Sequence, residues 1–314
     1  STAVNGLTLS SNDNTVQNIS ISGFTGASGT DQGDIYVSSG ATGTLIRWNA
    51  IGIAAANYAD RGASARTADY GIYSQAATLT VRENIVAFVG AGGIELFNAS
   101  SVLVEANELR GNAITNASAE NLNVNSGSGV TVRGNLSYDA GGPGFDTSGS
   151  TGSNLFENNT VLHNGQLTTG QTSGIRLNGN GNTVRKNIIA NNYGSGILVR
   201  SASVNNLITQ NSTYNNGATT RQLGIDLNDS SADADKGTAP YVTVNDANDI
   251  DSGANNLLNF PVFESMTISG GNLILKGCAP AGASIELFEA DVSPGKAVSV
   301  GSNTNAPRTL DYGE

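Results

Sequence analysis

Three residues in this chain combine reactive side chains with a suggestive spacing: Glu95, Asp146 and Arg176. Each follows a buried-type apolar residue in a short alternating unit, Ile94-Glu95-Leu96, Phe145-Asp146 and Ile175-Arg176-Leu177. In a strand with its apolar neighbours turned inward, the intervening residue points outward. The same outward position recurs along the chain as Thr8, Tyr36, Tyr73, Glu95, Asn123, Asp146, Arg176, Leu198 and Asp226. If these units stack at the inter-strand spacing, Asp146 falls about 5 Å from Arg176 and about 10 Å from Glu95. Two carboxyls at that separation, with a cation beside one of them, suit general acid–base work on a glycosidic bond. The plainer reading of the row is a cross-strand ion pair, since opposite charges on neighbouring strands attract. Tyr36 and Tyr73 fall next to each other in the row, either as a platform for sugar rings or as cross-strand packing.

The other reactive groups form no catalytic set. The single histidine, His163, has no partners for a triad or a zinc site, and a surface role is expected. The single cysteine, Cys278, excludes an internal disulfide and is expected to be a buried, passive thiol. Two Asp-x-Asp-x-Gly strings, Asp233-Ala-Asp235-Lys-Gly237 and Asp249-Ile-Asp251-Ser-Gly253, offer oxygen ligands at alternate positions beside a turning glycine. Asp233, Asp235, Asp249 and Asp251 are therefore candidate Ca²⁺ ligands, although no glutamate follows at the EF-hand distance. The competing reading is a solvated acidic loop that caps the preceding domain.

The elements that position these residues are short and repeated. A unit of small residue, apolar, any, apolar has its first apolar residue at positions 7, 35, 72, 94, 122, 145, 175, 197 and 225. Between the units another pattern recurs, as in Ile46-Arg47-Trp48-Asn49, Val104-Glu105-Ala106-Asn107 and Val184-Arg185-Lys186-Asn187. Period-2 alternation means strand, and the beat leaves room only for short ones. No stretch has helical spacing over three turns. One coil alone cannot bury its apolar face, whereas stacked coils share a continuous core. Asparagines at one corner of successive coils can hydrogen-bond along the stack, and asparagine tolerates the left-handed backbone expected there. The extra residues of the longer coils (25–33, 54–70, 112–121, 164–173 and 215–223) all precede the small–apolar unit. They are expected to wall a shallow groove over the outward row, unless loop length simply drifts there.

This pattern resembles the parallel β-helix repeat proteins over roughly residues 4–230. That superfamily includes pectate lyases, polygalacturonases, alginate epimerases, phage tailspikes and bacterial surface adhesins. The resemblance implies an all-β chain: a right-handed parallel β-helix of about nine coils over 1–230, then an Asp-rich cap or linker over 231–264. A third region, 265–314, has alternation and a Pro280-Ala-Gly282 turn that look like the opening of an immunoglobulin-like sandwich, expected to continue past Glu314. The Asp-x-Asp-x-Gly strings look like a tail recurring in large exported bacterial β-helix proteins. In β-helix enzymes of carbohydrates the outward row carries the chemistry, which would make Glu95, Asp146 and Arg176 catalytic. However, Gly144-Phe145-Asp146 is followed by Thr147-Ser148 where mannuronan epimerases have Pro-His, and the row lacks the clustered aspartates of polygalacturonases.

Bulk composition narrows the partners. With 26 acidic against 15 basic residues the chain carries a net charge of −11, which disfavours nucleic acid and anionic membrane surfaces. No apolar run approaches the roughly 20 residues that span a bilayer. Only 13% of residues are charged while 38% are hydrophobic and 40 are glycine, which points to a folded, turn-rich chain. One cysteine in so long a chain fits export in a bacterium, with any signal peptide expected to lie ahead of Ser1. The expectation is a non-enzymatic structural or adhesive segment of a secreted surface or extracellular-matrix protein. Its partners would be polysaccharide or other copies of itself. The alternative is a polysaccharide lyase, hydrolase or epimerase, or a carbohydrate-binding module, using the outward row.

Overall fold

Short strands stack here because each places its apolar residues inward against the coil above and the coil below. The computed structural model describes residues 4–24, 32–149 and 152–288. Three parallel sheets run the length of a right-handed β-helix. Sheet A has nine strands, from Leu7–Leu9 to Ile225–Leu227, in strict sequence order along the stack. All nine first apolar positions of the sequence repeat fall in register within it, for example Ile94 opposite Leu122 and Phe145 opposite Ile175. Sheets B and C have eight strands each, from Thr15–Gln17 to Leu207–Thr209 and from Ser20–Ile21 to Ser212–Tyr214. Coils are numbered 1 to 9 from the N-terminus. Their inward residues, such as Ile72, Leu96, Val132, Phe145, Phe156 and Ile175, form one continuous buried core.

The corners explain the asparagines, with one correction to the expected geometry. The left-handed residue is not the asparagine but the one before it: Trp48, Glu83, Ala106, Gly134, Asn158, Lys186 and Gln210 all have φ between 54° and 62°. That conformation costs a non-glycine residue about 1–2 kcal/mol, and the following asparagine offsets it by satisfying the turn. Each Nδ2 donates to the next asparagine's Oδ1 in an unbroken run, Asn49, Asn84, Asn107, Asn135, Asn159, Asn187 and Asn211, at 2.9–3.1 Å. Two further ladders stand at the other corners. One runs Asn154, Asn182, Asn206 and Asn255. The other runs Asn112, Asn121, Asn164, Asn192 and Asn216, with Asn121 reaching in from a long loop where coil 5 has Ala140.

The C-terminal end of the core is closed by apolar residues that belong to the Asp-rich segment 231–264. Ala254 and Leu257, in the 3-10 turn Ala254–Leu257, are buried against the last coil, and Asn255 provides the final rung beside them. Beyond it, Val262–Ser269 and Asn272–Cys278 form an antiparallel hairpin closed by Gly270 and Gly271, both at positive φ. The sequence-level alternation of this hairpin is thus observed. Residues 283–288 form no strand, and 289–314 lie outside the described residues. Cys278 is exposed, not buried as expected, because both hairpin faces are open among the described residues.

Among the described residues the outer face of sheet B is uncovered except at coil 8, where Glu286 reaches Thr209 and Gln210, and it is unusually regular. One outward row reads Thr15, Leu45, Thr80, Leu103, Thr131, Leu155, Thr183, Leu207, with threonine and leucine alternating on every coil. Two residues further along each strand a second row reads Gln17, Arg47, Arg82, Glu105, Arg133, Glu157, Arg185, Thr209.

Candidate functional site

The outward row of sheet A is assembled as the repeat demands. Glu95 lies opposite Asn123, Asn123 opposite Asp146, and Asp146 opposite Arg176. The expected open groove is absent, however: Glu95, Asp146 and Arg176 are 3%, 1% and 3% exposed. The described long coil segments do not wall this face but lie across it, while most of 25–33 lies outside the described residues. Glycine makes the close stacking of these segments possible, since a Cβ on Gly90 or Gly142 would collide with the carbonyl of Ala68 or Ala119 on the preceding coil.

Over coils 7 to 9 the cover is the first Asp-rich string. The Arg176 guanidinium donates from Nη1 to Asp146 Oδ2 at 2.8 Å, from Nη2 to Asp235 Oδ1 at 2.9 Å and from Nε to the Ala234 carbonyl at 3.2 Å. Gln222 Nε2 holds the Lys236 carbonyl at 2.7 Å, and Asn228 Nδ2 holds that of Asp233 at 2.9 Å. Gly237, at φ +74°, packs directly on the Asp226 carboxylate, where a side chain would not fit. Segment 229–241 is therefore a strap, and Arg176 is its anchor.

A carboxyl that sequence reasoning missed completes the cluster. Glu120 sits at the end of a long loop, just before the strand Leu122–Asn125, and is 4% exposed. Burial, and then the charges of Asp146 and Glu95, hold it well above the usual carboxylate range. Burial also raises Asp146, against the lowering pull of Arg176. Asp146 Oδ1 has no N–H or hydroxyl partner. A proton retained on Glu120 supplies one, so the pair behaves as an acid donating to a carboxylate. Asn123 Nδ2 reaches Glu95 Oε1 at 3.4 Å and Ser148 Oγ at 3.0 Å. The only sequence signal for Glu120 was its being the sole acid in 112–121, in a loop whose path the strand repeat does not specify.

The remaining candidates are placed as follows. Tyr36 and Tyr73 are adjacent and stacked, with ring centroids 5.9 Å apart and planes within 4°. Tyr73 is buried and packs on Tyr70 as well, so the pair presents no open two-ring platform. His163 is an exposed corner residue whose Nδ1 lies 2.5 Å from Asp139 Oδ1. Asp233 and Asp235 do not converge with Asp249 and Asp251: Asp235 is engaged by Arg176, and Asp233 caps its own turn by accepting from the Asp235 N–H. Asp249 and Asp251 instead gather with Asp246, their ligand oxygens within 4.8 Å of one another. Asp251 Oδ1 is buried without a partner there, and burial together with the Asp246 and Asp249 charges raises the Asp251 carboxyl. An oxygen-only trio with an unsatisfied atom fits a hard cation such as Ca²⁺.

Surface hollows of about 220 and 260 Å³ lie elsewhere, near Asn180, Ser201, Ala202 and Asn256, and neither is lined by the buried row. Among the described residues no helix is long and apolar enough to cross a membrane.

Three stacked parallel sheets with in-register corner ladders define a parallel β-helix repeat protein. A family model described as the right-handed beta helix region matches residues 70–238, and the chain belongs to that family. Among solved structures it is similar to the enzymatically active domain of tailspike protein 2 of bacteriophage CBA120. The identity is 14% and the TM-score 0.46, over 68% of this chain and 35% of that one, so the chain spans about a third of that neighbour's length. No curated protein matches the sequence.

Proposed function

We propose that this chain is a structural or adhesive segment of a secreted bacterial surface or extracellular-matrix protein, without enzymatic activity of its own. The observation that carries this reading is the covered row. Glu95, Asp146 and Arg176 stand where an outward-facing active site would need to meet a polymer. They lie instead under chain, with Arg176 paired to Asp146 and Asp235 and Glu95 accepting from Asn123. Three asparagine ladders and a continuous core supply what a stalk needs, lengthwise rigidity without disulfides.

The test is incubation with alginate, pectin and related glycans, followed for new reducing ends and for unsaturated products. No turnover is expected. Turnover that disappears in Asp146→Asn would overturn the reading.

The alternative, a polysaccharide-active protein, draws on a specific feature: a proton-bearing Glu120 beside Asp146 and Arg176, beneath a strap held by few bonds. It requires the strap to lift. Asp235→Ala, which removes one of its bonds to Arg176, should then create or raise activity, whereas a stalk stays inactive. The calcium expectation is carried forward on Asp246, Asp249 and Asp251, as a clip on the segment that follows the last coil.

A further inference from the structure

The face that meets a partner need not be the one with the acids. Sheet A is roofed over, but among the described residues sheet B is bare through coils 4 to 7 and carries two ordered rows. Leu103, Thr131, Leu155 and Thr183 alternate large with small, and Glu105, Arg133, Glu157 and Arg185 alternate in sign. Both rows repeat every second coil. Among the described residues the nearest segment outside the helix reaches coil 8, where Glu286 accepts from the Gln210 N–H at 2.8 Å.

We infer that this face is a self-complementary interface, and that its occupant is a second copy of the chain lying antiparallel across sheet B. A two-fold axis parallel to the strands, passing between coils 5 and 6, reverses the rod but preserves position along each strand. Coil 4 then faces coil 7, and coil 5 faces coil 6. Glu105 meets Arg185 of the second copy, and Arg133 meets Glu157 of the second copy. In the other row Leu103 meets Thr183 and Thr131 meets Leu155, so every large side chain faces a small one. Charge and shape are both satisfied by the same operator, because both rows alternate with the same two-coil period. An axis moved by half a coil spacing sets like against like in both rows.

A polyanion is the weaker fit to this face. Arg133 is already bonded to Glu105 at 3.3 Å and Arg185 to Glu157 at 2.7 Å, leaving the row close to neutral. The inference goes beyond the function proposed above, because the face would mate whether or not sheet A acts on a glycan. Four facing coils at about 4.8 Å by three residues give a contact of roughly 200 Å² per copy. Stable dimers use about 800 Å² per partner, so the association is weak and rapidly reversible.

Sedimentation velocity on the whole chain, from micromolar to near-millimolar concentration, is the experiment. Reversible dimer formation is expected at the upper end. Arg133→Glu with Arg185→Glu, and separately Glu105→Arg with Glu157→Arg, should each weaken it at least about tenfold. An equimolar mixture of the two variants should associate again. Thr131→Arg with Thr183→Arg, which fills the small positions, should also block it, and circular dichroism with melting verifies folding of each variant. A wild type that stays monomeric throughout, charge variants that associate like wild type, or a mixture that fails to recover each overturns the inference.

Discussion

Replacing Asp34 by asparagine should stabilise the protein above neutral pH and do little near pH 4. Asp34 is fully buried in the strand Gly33–Val37, beneath the long segment 54–70. The Thr67 hydroxyl donates to its Oδ1 at 2.6 Å, and that same hydroxyl accepts from the Gly23 N–H at 2.8 Å. Burial outweighs the hydrogen bonds from Thr67 and from the Phe24 and Gly52 backbone and the charge of Arg61, and lifts the carboxyl from 3.8 to about 7. A raised acid pKa means that the folded state holds a proton which the unfolded state has released. Stability therefore falls as pH rises from about 3.8 to about 7 and is level outside that window. At 1.36 kcal/mol per pKa unit, the buried charge costs on the order of 4 kcal/mol above pH 7. Asparagine keeps an acceptor for Thr67 and never ionises.

The assay is urea unfolding of wild type and Asp34→Asn at unit steps from pH 4 to 8, read as the difference between the two proteins. Taking the difference cancels the slopes from Glu120 and Asp146, which run in the same direction. The difference should be near zero at pH 4, grow by up to about 1.4 kcal/mol per unit, and flatten above pH 7. An NMR titration of the Asp34 carboxyl gives the midpoint directly. A variant less stable than wild type at pH 8, or a difference independent of pH, refutes the reasoning.

Other perturbations test the ladder, the strap and the cation site. Asn135→Ala removes bonds to Val104 O, Arg133 O and Asn159 Oδ1 and leaves the buried Asn107 N–H without its acceptor, so a loss of about 3 kcal/mol is expected in urea unfolding. Arg176→Met strands the buried Asp146 charge and frees the strap. About 3–5 kcal/mol should be lost, with new proteolytic cleavage confined to 229–241. Titration with Ca²⁺ should give a calorimetric signal and a higher melting temperature that Asp249→Asn removes. No heat, and no effect of chelator on melting, would count against a site at Asp246, Asp249 and Asp251.

The β-helix was legible because its signals are local and repeated. Residues 94, 122, 145 and 175 each announce a strand by the same three-residue rule, and stacking turns that rule into register. The corner asparagines were legible for one ladder only. The other two are interrupted: Val130 and Ala140 stand where a rung would be, and Asn121 and Asn255 enter the ladders from outside the repeat. What the repeat cannot encode is the path of the segments between its units. That path decided the fate of the candidate site, since Glu120 and Asp235 come from such segments and turn an expected open row into a buried network. The calcium candidates failed to group for the same reason, because Asp233 and Asp235 follow the strap while Asp249 and Asp251 follow the turn that closes the core.

The two outer faces follow from one constraint. A coil of fixed cross-section can absorb extra residues only where they do not interrupt the stacked strands, and here they enter between sheets C and A. Those residues fold onto sheet A, and a covered face can hold ionised groups only if they neutralise one another, as Asp146 and Arg176 do at 2.8 Å. Sheet B leads into a corner with no room for insertion: in coil 3 only Glu83 and Asn84 separate Arg82 from Ile85. Among the described residues its outer face therefore stays bare through coils 4 to 7, and the two-coil alternation of size and charge is free to act on another surface. On this argument the chemistry-bearing residues of the sequence are a consequence of burial, and the bland Thr/Leu row beside them is where the rod meets its surroundings.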